Sequence, residues 1–479
     1  MANKVPDDVY FASISELTAR LRAKEFSAVE LTRAFCDRLE KIGPQYNALA
    51  LSLRKDALRK AKDADDEIKR ERYRPLQGIP YGAKDLLAVA NRPTTWGAKP
   101  YADQVFEESA AVIQKLEKGG AILIGKLAMV ELAGGGGYRY PSASLTGPGL
   151  NPWDRTRWSG GSSSGSGIAT AAGLVTFSLG SETSGSILTP SAFCGVTGLR
   201  PTYGLVSRRG AMALSWTLDK IGPLCRSAED CGLVLHVIAG GDSSDPGSAG
   251  KSFSYFPQFA RKPQELTVGY APVDFEEYAI ESARPDFKSA LDAVKSTGVK
   301  MKQIELPDFP YGAILSTILN GEMGSIFEPL IKSGKVDQLA DKRQIAGLKA
   351  SLDLPASEYL KAMRIRSLVQ QKFRELFVDI DILLTPSRSG PASKVTEALD
   401  RATAGPRPQS RGLSGMIPAG NLCGLPAISL PCGFADQMPI AISLVGRPFT
   451  ENQLLALGKL YQSQTDWHRR HPPVTEPRA

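Results

Sequence analysis

An α/β protein with a covered sheet is what this sequence predicts, and two features predict it. Short apolar runs bounded by Pro and Gly alternate along the chain with longer amphipathic stretches, several of which open on a capping residue. The runs are apolar throughout and not alternating, as strands buried on both faces are. The composition is globular, 42% hydrophobic against 23% charged over 479 residues, far from the disordered regime.

The elements follow in order. Ser13 with Glu16, and Ser27 with Glu30, form capping boxes that open helices, so residues 1–65 are expected to be largely helical. A helix starting near Ser109 leads into a buried strand at 121–124. Residues 168–179, IATAAGLVTFSL, suit a buried helix and strand. Ser227 caps an apolar helix through Ile238 that carries His236, read as a core histidine. From about 240 to 262 the chain is polar and Pro/Gly-rich. A strand at 266–270, helices at 284–297 and 357–377, and strands at 382–385, 427–430 and 440–444 complete the pattern. Residues 387–412 read as a long loop. No interdomain linker stands out, so the chain is expected to form one domain over 1–479: an N-terminal helical segment (1–65), a central core (76–240) and a remainder (263–465).

Several function classes are set aside. The formal charge is +8, yet the basic residues interleave with acidic ones, as on a solvated helix face. No nucleic-acid partner and no membrane partner are therefore expected. No apolar run is long enough to cross a bilayer, and the start lacks the apolar core of a secretory signal. Six scattered cysteines include no CxxC pair, which favours reduced thiols and a cytoplasmic setting. Neither His nor Cys shows metal-ligand spacing, and no cofactor is implied.

Chemistry concentrates in two serine-glycine clusters, Gly160–Gly167 and Gly180–Ile187, preceded by Lys84 in an apolar setting. Residues 161–165 match G-x-S-x-G, but no strand precedes them and the three histidines offer no suitable partner. Gly120–Lys126 nearly spells a phosphate-binding loop, with Leu127 where Ser or Thr is needed. Two S-x-x-K matches, at Ser52 and Ser248, lack companion motifs. Gly/Ser runs are often linkers, but apolar segments follow both clusters. Polar loops held inside a core need a reason, because buried backbone groups must find partners. An active site is such a reason.

The motifs GIPYGAKD, SGGSSSGSGIATAAG and GSETSGSILTPSAFCGVTGLRPTYG resemble those of the amidase signature family. ILLTP at 382–386, GNLCGLPA at 420–427 and LVGRP at 444–448 extend the resemblance from about Leu76 to the last strand. The resemblance implies one domain around a large mixed sheet and hydrolysis of amides by a Ser–cis-Ser–Lys triad. Carried over by position, the nucleophile is Ser186, the bridging serine is Ser162, 24 positions earlier, and the base is Lys84. The oxyanion hole is the N–H groups of Thr183, Ser184, Gly185 and Ser186. Glu182 stands where the family usually has Asp, and Ser184 where it has Gly. A side chain at 184 is expected to restrict positive φ there. The chemistry is self-consistent, because burial disfavours a charged lysine and converts Lys84 into a base. Asp85 is expected to point away from Lys84.

The substrate is less legible. Met129, Gly134, Gly135, Gly136, Tyr138, Trp216 and Met416 are candidate pocket residues, each of which also reads as ordinary packing. The family includes the glutaminase component of a tRNA-dependent amidotransferase, which carries an acidic residue where Ser414 stands here. The expectation is therefore a stand-alone amidase of broad scope for amides and anilides, with aryl esters and carbamates as further substrates, working as a monomer or homodimer. The amidotransferase glutaminase is the alternative. A non-catalytic scaffold is the remote one, opposed by the intact Lys84, Ser162 and Ser186.

Overall fold

Eleven strands form one mixed sheet in a computed structural model that describes residues 5–256, 261–399 and 416–474. In chain order they are β1 (Leu49–Ser52), β2 (Pro80–Lys84), β3 (Ile122–Leu127), β4 (Phe177–Glu182), β5 (Thr197–Arg200), β6 (Lys220–Cys225), β7 (Thr267–Tyr270), β8 (Lys300–Gln303), β9 (Ile382–Pro386), β10 (Ala427–Ala435) and β11 (Met438–Gly446). Across the sheet they run β1-β3-β2-β4-β6-β5-β10-β11-β9-β7-β8. β3, β2 and β4 are mutually parallel, as are β8, β7 and β9. Antiparallel pairs of β4, β6, β5, β10, β11 and β9 join these two parallel groups.

Burial explains the strand sequences. Every residue of β2, β4, β5, β6, β9 and β11 is buried, which matches their unbroken apolar or small-residue character. The last strand, β8, is KMKQ and mostly exposed. Lysines on such an edge discourage pairing with another chain. Both predicted capping boxes form, at Ser13–Glu16 and Ser27–Glu30. Ser227 caps the helix Ala228–Ile238. His236 sits on that helix's exposed face and not in the core, because the buried stripe passes through Cys231, Val234, Leu235 and Ile238.

The central helix Ser164–Ala171 is buried along its whole length. Apart from Ile168 and Thr170 its residues are Gly, Ser and Ala, which permits that. A side chain at Gly165 would meet the backbone of Ala48 and Ala128 at 2.5 Å. The helix is tied to β4 by Ser166 Oγ, which donates to the Leu179 carbonyl at 2.9 Å, and β4 is the parallel neighbour of β2, so the two serine clusters and Lys84 come together. Among the described residues no helix is long and apolar enough to cross a membrane.

Candidate active site

Lys84 is the last residue of β2 and is fully buried. Its Nζ donates to Ser162 Oγ at 2.7 Å and to Ser181 Oγ at 2.9 Å. Ser162 is 2% exposed and follows a cis peptide bond from Gly161. Ser181 lies on β4, the parallel neighbour of β2. Burial pushes the Lys84 amine down to about 7, against the opposing pull of Asp219 and Glu182. Asp85, as expected, turns the other way. It forms a buried ion pair at 2.7 Å with Lys126.

Ser186 lies in the turn between β4 and the helix Leu188–Cys194, and is 8% exposed. The turn is fixed from below by Glu182. That carboxylate accepts the N–H groups of Ile187 and Leu188 at 2.9 and 3.0 Å. It also pairs with Arg200 at 2.8 Å and accepts from Asn421 Nδ2 at 2.9 Å. Burial alone would raise its pKa, but Arg200 and Lys220 outweigh that and hold it down to about 2. Glu182 therefore consumes the first N–H groups of the helix. The N–H groups of Ser184, Gly185 and Ser186 donate to no backbone carbonyl among the described residues, and remain available as donors. Thr183 is held through its hydroxyl, which donates to Asp219 at 2.5 Å.

The departure at Ser184 has less consequence than expected. The residue with positive φ in this turn is Gly185, at +84°, and Ser184 has no left-handed conformation. A serine there costs no backbone strain; instead, its half-buried side chain borders a cavity of about 290 Å³. That cavity is also walled by Leu188, Tyr278, Thr385, Arg388 and Met416. A second cavity, about 520 Å³, meets Ser181 and Thr183 and includes Trp216, Asp219 and Lys220 in its wall.

The predicted pocket residues divide. Met416 lines the smaller cavity. Tyr138 packs edge-on against Trp158, and both crowd Gly161, where a Cβ would meet Trp158 at 3.0 Å and the Tyr138 hydroxyl at 3.4 Å. Trp216 is 52% exposed and borders the larger cavity, not the one that Met416 lines. Met129 is fully buried, with its carbonyl accepting from Ser144. Gly134 and Gly136 have φ near +90° and pack against Tyr138 and the backbone of Gln344, while Gly135 faces Leu214. Ser414 and the loop beyond 399 lie outside the described residues. Among the described residues no cluster of three or more His, Cys, Asp or Glu could hold a metal.

Sequence reasoning missed Ser181, Arg200 and Asn421. Ser181 stood inside the second cluster and was available to the eye; Arg200 and Asn421 reach Glu182 from a different strand and from the helix Met416–Leu422.

The profile of the Amidase family matches residues 30–455, and the chain belongs to that family. It is accordingly a hydrolase acting on C–N bonds. The chain is 33% identical to the A subunit of glutamyl-tRNA(Gln) amidotransferase from Carboxydothermus hydrogenoformans, over 98% of this chain and 100% of the relative. It is 35% identical to the corresponding protein of Coxiella burnetii, over 96% of this chain and 99% of the relative. Among solved structures it is similar to the peptide amidase of Stenotrophomonas maltophilia, with a TM-score of 0.81 and 27% identity over 97% of this chain and 98% of that one.

These relationships correct two expectations. A stand-alone amidase of broad scope, turning over anilides, aryl esters and carbamates, does not fit relatives that match end to end and are subunits of a larger enzyme. Nor does the expectation of a monomer or homodimer without nucleic acid, since those relatives are subunits of an enzyme for a tRNA. The expectation leaned on Ser414, a single position, against similarity spread over the entire chain.

Proposed function

We propose that this chain is the glutamine-hydrolysing subunit of a tRNA-dependent amidotransferase, and that Lys84, Ser162 and Ser186 carry the reaction. The observation that carries the proposal is the end-to-end relationship, at 33–35% identity, to the A subunits of glutamyl-tRNA(Gln) amidotransferases. The 2.7 Å bond from Lys84 to Ser162 supports the catalytic assignment.

In this reading Lys84 is neutral before reaction and accepts the Ser162 proton, while Ser162 takes the proton of Ser186. The Ser186 oxygen bonds to the amide carbon, and the developing oxyanion is met by the N–H groups of the turn 183–186. Return of the proton through Ser162 to the amide nitrogen breaks the C–N bond and releases ammonia. Water then cleaves the acyl ester to give glutamate. Among the described residues no hydrogen bond joins Ser162 to Ser186; catalytic hydrogen bonds of this kind tighten on substrate binding. The ammonia serves amidation of a glutamyl-tRNA held by a partner protein. A cytoplasmic setting accords with six cysteines that are all free thiols.

The test is reconstitution. The chain mixed with the other amidotransferase subunits and glutamyl-tRNA(Gln) is expected to convert glutamine to glutamate and the tRNA to its amidated form, with Ser186→Ala inactive in both. Efficient turnover of neutral anilides by the chain alone, with no tRNA amidation on reconstitution, overturns the reading.

A further inference from the structure

Among the described residues most buried or half-buried guanidinium groups are spoken for. Arg200 pairs with Glu182 and Arg208 with Asp245, and Arg366 donates to Leu422 and Thr217 carbonyls. Arg388 differs. It is half-buried and lines the cavity beside Ser184, yet among the described residues it has no carboxylate partner. None of the described residues lining that cavity is acidic. A half-buried guanidinium with no anion beside it can still take one, and its planar fork matches a carboxylate.

The backbone on either side of Arg388 is fixed. The Ser387 N–H donates to Ala441 at 2.7 Å, and its hydroxyl lies 2.9 and 2.7 Å from the hydroxyls of Ser429 and Ser443. The Ser389 carbonyl accepts from Ile280 at 2.9 Å. The guanidinium stands 5.9 Å from the ring of Phe193, which belongs to the helix that begins just after Ser186. The backbone that carries Arg388 is thus fixed, and its guanidinium lies near a ring of the element that follows Ser186.

From this we infer that Arg388 anchors a carboxylate on the acyl side of the amide substrate. The naming of that group as the α-carboxylate of glutamine rests on the glutaminase reading; the anchor itself does not. Selection is then for an ω-amide of an acid, and neutral amides of the same length lose the contact. Among the described residues of the wall the charged side chains are the guanidiniums of Arg200, paired with Glu182, and Arg388, so Arg388 is the group there that suits a carboxylate.

The experiment compares three substrates in the full-length chain and its Arg388→Gln variant: glutamine, glutaric acid monoamide, which lacks the amine, and 4-aminobutanamide, which lacks the carboxylate. The kcat/KM ratio of glutaric acid monoamide to 4-aminobutanamide is expected to fall roughly 10- to 100-fold in Arg388→Gln, mainly through KM, as loss of charge-assisted hydrogen bonds predicts. Arg388→Lys is expected to recover part of the loss. Calorimetric binding of glutarate, which needs no turnover, is expected to weaken by the same factor. An unchanged ratio, or glutarate binding equal in the two proteins or missing from both, overturns the anchor. Turnover of glutaric acid monoamide that depends on Arg388, with glutamine untouched even on reconstitution, sinks the glutaminase reading and leaves the anchor standing. Glutamine turnover indifferent to Arg388 does the reverse.

Discussion

Lys84 and Lys126 stand near the ends of adjacent parallel strands, and both are completely buried. Their surroundings differ in one respect. Lys126 has Asp85 at 2.7 Å and also donates to Thr94 Oγ1 at 2.7 Å. Lys84 has two serine hydroxyls and no carboxylate in contact. Burial lowers the pKa of both amines, and Asp85 offsets part of that for Lys126. The chain thus keeps one buried lysine as half of an ion pair and leaves the other without a counter-ion. Withholding a carboxylate from Lys84 is what turns it into a candidate base near neutral pH. The carboxylate nearest in sequence, Asp85, is spent on the neighbour, with its second oxygen accepting from Thr95.

The largest effect expected from breaking this contrast is on rate. Lys84→Ala is expected to lower kcat by roughly 10²–10⁴, the usual worth of general-base catalysis, while thermal unfolding stays near that of the parent. The sign of the pH dependence follows from the amine at about 7. Protonated Lys84 cannot accept a proton, so kcat/KM rises with pH through about 7, and the substitution removes that limb. Ser162→Ala is expected to cost a similar factor, and the double variant little more, because members of one relay are not additive. Losses that multiply in the double variant would mean the two residues act separately.

Stability carries the next effect. Asp85→Asn leaves Lys126 as an uncompensated buried charge, and is expected to cost about 3–5 kcal/mol in denaturant unfolding. Replacing both partners, Asp85→Leu with Lys126→Met, is expected to recover most of that, since an apolar pair of similar volume pays no desolvation. A single Asp85→Asn change that left unfolding unaltered would show Lys126 to be neutral already, and the contrast between the two lysines would vanish.

How much of this was legible in the sequence follows from how local each signal is. Lys84, Ser162 and Ser186 sit in contiguous motifs, so their types and spacing could be read directly. The capping boxes at Ser13 and Ser27 were equally local. The support of Glu182 was not, because Arg200 and Asn421 come from 18 and 239 positions away. Strands β5 and β6 were missed because TGLR and KIGPLC carry Gly and Pro, which argue against strand when read alone. β8 was missed because an exposed edge strand rich in lysine lacks the apolar run. The reading of substrate failed for a related reason. It rested on one serine at 414, whereas a pocket is built from elements far apart in sequence, as Ser184, Thr385, Arg388 and Met416 are here.

Substitution at Ser181 sharpens the comparison. Ser181→Asp gives Lys84 the kind of partner Lys126 has, and is expected to raise the acidic limb of the pH profile by about 1–3 units, the reach of a nearby opposite charge. Activity at pH 7 then falls, and returns as pH increases. Ser181→Ala is the smallest change. The Ser181 hydroxyl accepts from Lys84 at 2.9 Å, and an acceptor favours the ammonium over the neutral amine. Its removal withdraws about 0.5–1.5 kcal/mol of support for the charged form, equivalent to a downward shift of roughly 0.4–1 unit. The limb is expected to move to lower pH with the plateau rate preserved, since the bond to Ser162 stays. A limb that moved upward, or a plateau that collapsed, would mean that Ser181 takes part in proton transfer itself, and the relay would have to be redrawn through both hydroxyls.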